Sequence, residues 1–108
     1  MVVYKYNIRL PETKSMDGQL YTYTAQAWGE FSVSMPAGAQ LLDIQEWRQE
    51  IVLWALLDPN HKTHESRRFY YVGTGQHIPP NIAASLLFIK TLPLLGGGAI
   101  YHFFERTG

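Results

Sequence analysis

Cysteine is absent from the chain, which excludes a disulfide framework, a thiol nucleophile and a thiolate metal site, and suits a reducing compartment. An excess of charge of either sign is lacking too. Nine Lys and Arg balance nine Asp and Glu, so no global basic field exists to draw in duplex DNA or an anionic membrane, and any anion has to be caught locally. The chain has no run of about 18 apolar residues and no charged-then-apolar leader, so it is expected to be soluble, unprocessed and not membrane-bound. Repeats, low-complexity tracts and linkers are missing, and 108 residues suit one domain. What the chain does hold is 46% hydrophobic and 14% aromatic residues, enough for a packed core.

Turn residues cut this apolar material into short pieces. Val2 to Leu10 alternates Tyr4, Tyr6 and Ile8 with Lys5, Asn7 and Arg9, the period of a half-buried strand, and Pro11 ends it. Asp17-Gly18 marks a turn, and Gln19 to Ala27 reads as another strand. Glu30 to Met35 alternates Phe31 and Val33 with Ser32 and Ser34 before Pro36-Ala37-Gly38, which marks an edge strand or strand end. Ala39 to Trp47 and Ile51 to Asp58 flank the polar break Arg48-Gln49-Glu50. A hairpin is the first expectation there, with a continuous helix as competitor because Leu42, Glu46, Gln49 and Glu50 favour helix. Both alternate faces of Ile51 to Leu57 are apolar, which predicts a strand buried twice, between layers or at a subunit interface.

Asp58 to Glu65 reads as a surface loop and Arg67 to Val72 as an aromatic strand. Pro79-Pro80 opens a short helical turn. Leu86 to Leu92 is a strand expected to stop at Pro93, and Ala99 to Glu105 closes the sheet after Gly96-Gly97-Gly98. The sum is a mostly β chain over residues 1–108: a small antiparallel sandwich or barrel of about seven strands with one helical turn.

No residues stand in a catalytic spacing, and there is no phosphate-binding loop or nucleophile elbow, so an enzyme is not expected. His61 and His64, with Asp58, Glu65 and His77, are the material for a metal-dependent hydrolase, but no fourth ligand stands out and no metal site is expected. His102, between Tyr101 and Phe103, reads as structural. Gly73-Thr74-Gly75, followed by His77, lacks the dinucleotide fingerprint, yet its backbone N–H groups can form a nest for a phosphate oxygen. Strand alternation puts Arg67, Phe69 and Tyr71 on one face and Arg68 and Tyr70 on the other. Either face pairs guanidinium with ring, which suits a nucleotide's phosphate and base and equally suits an ordinary sheet surface. The expected ligand contacts are Arg67, Arg68 and Thr74 to phosphate, with Gly73, Gly75 and His77 beside them and Tyr70, Tyr71 or Trp47 stacking on bases. No cofactor is expected.

Met35-Pro36-Ala37-Gly38-Ala39-Gln40-Leu41-Leu42, Leu53-Trp54-Ala55-Leu56-Leu57-Asp58-Pro59, Arg68-Phe69 with Gly73-Thr74-Gly75, and Tyr101-His102-Phe103-Phe104-Glu105 occur in that order. This series resembles a family of small tailed-phage proteins carried as a domain of unknown function, over about residues 30–105. Two features depart from the family pattern: an extra hairpin over residues 12–29, and His77 one position later than in the family. The set is also similar to phage anti-CBASS immune-evasion proteins. That resemblance implies a non-enzymatic, homo-oligomeric sponge in the cytoplasm of an infected bacterial cell, binding a cyclic dinucleotide or related cyclic oligonucleotide. The competing expectations are a virion or protein-interaction module, the metal-dependent hydrolase and, fourth, a single-stranded nucleic-acid binder.

Overall fold

The computed structural model describes residues 1–8, 12–14, 20–22, 28–48, 50–94 and 99–107. Its elements are β1 (Val2–Ile8), β2 (Glu12–Lys14), β3 (Leu20–Thr22), β4 (Trp28–Pro36), β5 (Gln40–Trp47), β6 (Glu50–Leu57), β7 (His64–Gly73), α1 (Pro80–Ala83), β8 (Leu86–Leu94) and β9 (Ala99–Arg106). Seven strands form two antiparallel sheets, ordered β1-β6-β5 and β4-β7-β9-β8, and β2 pairs with β3 in a separate ribbon. Among the described residues the sheets do not close into a barrel. One core joins them. Ile8, Ile44, Ile51, Leu53, Ala55 and Leu57 of the first sheet meet Met35, Phe69, Tyr71, Leu92, Tyr101 and Phe103 of the second, the interdigitated inner faces of a sandwich.

Chain direction explains the layering. β4 ends at Pro36, which has no N–H to donate to a ladder, and after it Gly38 takes φ +80°, a value open to glycine at no steric cost. The chain thereby leaves β4 in one sheet and enters β5 in the other. The segment from Ala39 to Asp58 is the expected hairpin rather than a helix, since β5 and β6 pair from Gln40↔Leu56 to Trp47↔Glu50 with a register shift between Leu41 and Asp43. The apolar excess of Ile51 to Leu57 follows from its position: β6 is the central strand of its sheet. Ile51, Leu53, Ala55 and Leu57 face the core, and on the opposite side Val52 is buried while Trp54 and Leu56 are half-buried.

Several expectations are corrected. β7 starts at His64, so the loop after β6 spans only Asp58 to Thr63, held by Asp58 Oδ1 accepting the Asn60 amide and His61 Nδ1 accepting the Thr63 amide. Pro93 does not stop β8. It pairs with Ile100 inside the strand, which proline tolerates because β8 is an edge whose other side pairs with no strand among the described residues. β9 does not close the sheet from its margin but lies between β7 and β8. Arg9, Leu10, Asp17-Gly18, residues 23–27 and Gly96-Gly97-Gly98 fall outside the described residues. Among the described residues no helix is long and apolar enough to cross a membrane.

Candidate functional site

Strand alternation and register bring the outward side chains of the four-stranded sheet into three rows. One row runs Trp28, Val72, His102, Thr91, the next Glu30, Tyr70, Phe104, Phe88, and the third Ser32, Arg68, Arg106, Leu86. An aromatic row thus lies between an arginine row and a row of hydroxyl and imidazole.

Rings build the middle of this face. The Trp28 ring, 58% exposed, stacks on Tyr70 at 5.9 Å and 25°, and leaves Tyr70 1% exposed. Phe88, 62% exposed, meets Phe104 edge-on at 5.8 Å and 72°. Offset and edge-on geometries suit the ring quadrupoles. Burial raises the Tyr70 phenol's pKa, Glu30 raises it further, and Arg106 lowers it. Arg106 of β9 pairs with Glu30 of β4 across the intervening β7, and its Nε is buried without a partner among the described residues.

A polar network ends the face near the glycine-flanked turn. His102 Nε2 lies 2.7 Å from Thr74 Oγ1 and its Nδ1 lies 2.9 Å from Thr91 Oγ1. Because the Thr74 hydroxyl also donates to the Ile100 carbonyl at 3.4 Å, the consistent assignment has Nε2–H donating to Thr74 and Nδ1 accepting from Thr91. The expected phosphate nest is not formed. Its Thr74 amide donates to the Ile100 carbonyl and the Gln76 amide to the Gly73 carbonyl, each at 3.2 Å, so neither amide is available to an outside anion.

The residues expected to share a ligand are divided among several surroundings. Arg68, Tyr70 and, through His102, Thr74 belong to the outer face just described. Arg67 points to the inner side, where Nη2 donates to Glu105 Oε1 at 2.9 Å and Nη1 to the Ala39 carbonyl at 2.7 Å. The Glu105 hydrogen bond raises its pKa in spite of partial burial. This guanidinium ties β7, β9 and the β4–β5 turn together and is not available as a phosphate contact. Tyr71 is a core side chain, 1% exposed, and not a stacking platform. Gly73 is the last residue of β7, Gly75 takes φ +86° in the turn, and His77 is exposed on the way to α1. Trp47 lies on the outer side of the other sheet.

Trp28, Phe88, Phe104, Arg106 and His102 complete the face and were not among the expected contacts. Their signal was the alternation of Ile100, His102, Phe104 and Arg106 against Tyr101 and Phe103, which marks two differently furnished sides of one strand. Among the described residues no three His, Asp or Glu side chains gather as for a metal ion.

A domain of unknown function, DUF7352, matches residues 16–108. The chain belongs to this family. The family span takes in the whole four-stranded sheet together with β5 and β6, and leaves β1 outside it. It begins well ahead of the motif series that starts at Met35. No curated protein and no solved structure matches the chain.

Proposed function

We propose that this member of the family is a non-enzymatic binding protein of phage origin that sequesters a cyclic dinucleotide or related cyclic oligonucleotide in the cytoplasm of the infected bacterium. The observation that carries it is the exposed Trp28 indole stacked on Tyr70, whose row borders that of Arg68 and Arg106. A cyclic dinucleotide offers flat bases and phosphodiester anions. Rings take the former by stacking, worth about 1–3 kcal/mol per base, and guanidinium groups take the latter through paired N–H donors. Sequestration breaks no bond, so it asks for no acid, base or nucleophile.

A sheet face touches a flat ligand from one side only, whereas small-molecule sites bury roughly 70–90% of their ligand. A second copy facing the first supplies the other wall, and two-fold pairing places the same residues on both sides. The sponge is therefore a homo-oligomer with its ligand between chains.

The test mixes the full chain with a panel of cyclic di- and trinucleotides, measures free ligand, and measures it again after heat denaturation. Depletion followed by intact recovery, lost in Trp28→Ala and Arg68→Ala, is the expected result. No depletion by any panel member, or recovery of a cleaved product, overturns it.

Trp28 and Phe88, 58% and 62% exposed on the outer face of the four-stranded sheet, favour a second function, a protein-interaction module, because large exposed apolar side chains on one face mark partner sites. That function gives no thermal shift with any nucleotide and instead a loss of partner binding in Phe88→Ser.

A further inference from the structure

The outer side of the three-stranded sheet carries a separate gathering of cations and rings. β5 ends at Trp47, the chain turns through Arg48, and β6 returns at Glu50 opposite Trp47. Arg48 is the single non-glycine residue with positive φ among the described residues, at +52°, in a hairpin position that favours Gly, Asn or Asp. This backbone brings the guanidinium carbon of Arg48 to 4.4 Å from the centroid of the Trp47 ring. Lys5 Nζ, from β1, lies 4.4 Å from the same centroid. Trp54 meets Trp47 edge-on at 6.3 Å, and its indole N–H donates to Gln45 Oε1 at 3.0 Å, so the floor of the patch is held in place.

Two cations against one ring lie no farther apart than twice that distance, inside the ~10 Å Debye length at 0.1 M salt, so their repulsion is only partly screened. The ring quadrupole offsets part of it. The ion pairs among the described residues engage Arg67, Lys90 and Arg106, and neither Lys5 nor Arg48 takes part in one. Two cations held at one ring, neither in an ion pair among the described residues, make an arrangement whose repulsion an anion would relieve. Arginine's planar fork and lysine's compact charge both suit phosphate oxygens.

We infer that Lys5 and Arg48, held against Trp47, form a binding site for the phosphate of a small phosphate-bearing molecule, on the side of the sandwich opposite the Trp28 face. Cations occupy the Trp47 ring, so the site recognises phosphate and not a base. Glu50 stands beside it, exposed, as the carboxylate that competes with the incoming anion.

The test titrates the full chain with inorganic pyrophosphate and, in a parallel arm, with purine and pyrimidine nucleoside monophosphates, following tryptophan indole N–H resonances by NMR. Trp47→Phe assigns the Trp47 signal. The expected result is a saturable shift of that signal with a Kd of about 1 mM or tighter, weakened several-fold in Lys5→Gln and Arg48→Gly, strengthened in Glu50→Gln, and indifferent to base identity. Arg48→Gly also relieves the left-handed backbone, so its melting temperature holds or rises and weak binding is not a folding defect. No Trp47 shift, or a shift unchanged in both cation variants, overturns the site. Trp28→Ala leaves this titration intact. Its loss there moves the anion to the other face and overturns the inference, whereas failure of the cyclic-nucleotide panel alone leaves it standing.

Discussion

Tyr71 lays its phenol against the backbone of Gly29, its partner across β4 and β7, so closely that a Cβ built on Gly29 would stand 2.5 Å from the phenol oxygen. Glycine is required at 29 because any larger residue meets a ring locked between Phe31, Tyr101 and Phe103. Gly29→Ala is therefore expected to lower stability by about 1–3 kcal/mol, the range for overpacked cores, read as a shift in denaturation midpoint. An unchanged midpoint would mean that the ring yields.

The same phenol oxygen is buried and without a hydrogen-bond partner among the described residues. An unpaired buried hydroxyl costs roughly 1–3 kcal/mol, so Tyr71→Phe is expected to leave stability equal or higher. Urea unfolding of the two proteins side by side measures this, and a clear loss in the variant would show that the oxygen has a partner after all.

Burial, with a smaller contribution from Tyr101, pushes the Tyr71 pKa from 10.0 up to about 12. The folded state therefore holds its proton more tightly than the unfolded state. Below pH 10 the phenol is neutral in both and stability is unaffected by it. Between the two pKa values the unfolded chain ionises first, and stability falls as pH rises, by roughly 2–3 kcal/mol in total at about 1.4 kcal/mol per unit. Tyr6 and Tyr70, also raised, act in the same direction. Unfolding free energies measured between pH 9 and 12 are expected to drop less steeply in Tyr71→Phe than in the parent chain; parallel curves would remove Tyr71 as the cause.

Arg67 and Lys90 separate strong from weak ion pairing. The Arg67–Glu105 pair is mostly buried and shares its guanidinium with the Ala39 carbonyl, so Glu105→Gln is expected to cost about 2–4 kcal/mol by leaving the cation only the more distant and more exposed Glu65 carboxylate at 3.6 Å. Lys90–Asp43 links the β8 and β5 edges across the sandwich at 3.1 Å with both side chains about one-third exposed, and Lys90→Ala is expected to cost under ~1 kcal/mol. Repeating both in high salt is decisive: the Lys90 effect should shrink, and the Arg67 effect should persist.

Which parts of this architecture were legible follows from where each signal lives. Alternation and continuous apolar runs are both local, so β1, β4 and β9 could be read from the alternation around Tyr4/Tyr6, Phe31/Val33 and Tyr101/Phe103, and β6 from the unbroken run Ile51 to Leu57. Pro93 misled because its effect depends on whether a strand is an edge, a property of the assembled sheet. Which alternate face turns inward is equally non-local. Arg67 and Arg68 are neighbours with the same chemistry, and only Glu105, far along the chain, draws the first into the interior. Register across three strands brings Trp28, Tyr70 and Phe104 together, and no spacing within any one segment encodes it. Trp47 was expected to stack on a base, and Lys5 reaches it only because β1 pairs with β6.

That last pairing has a temporal side. Among the described residues β1 borders no strand but β6, whose codons are read some forty positions later. At ribosomal speeds of ~5–20 residues per second, Val2–Ile8 waits for seconds with Tyr6 and Ile8, the two side chains that the fold covers, unshielded. A chaperone that greets nascent chains, or a slowed codon run before Glu50, would be felt first at this end of the molecule.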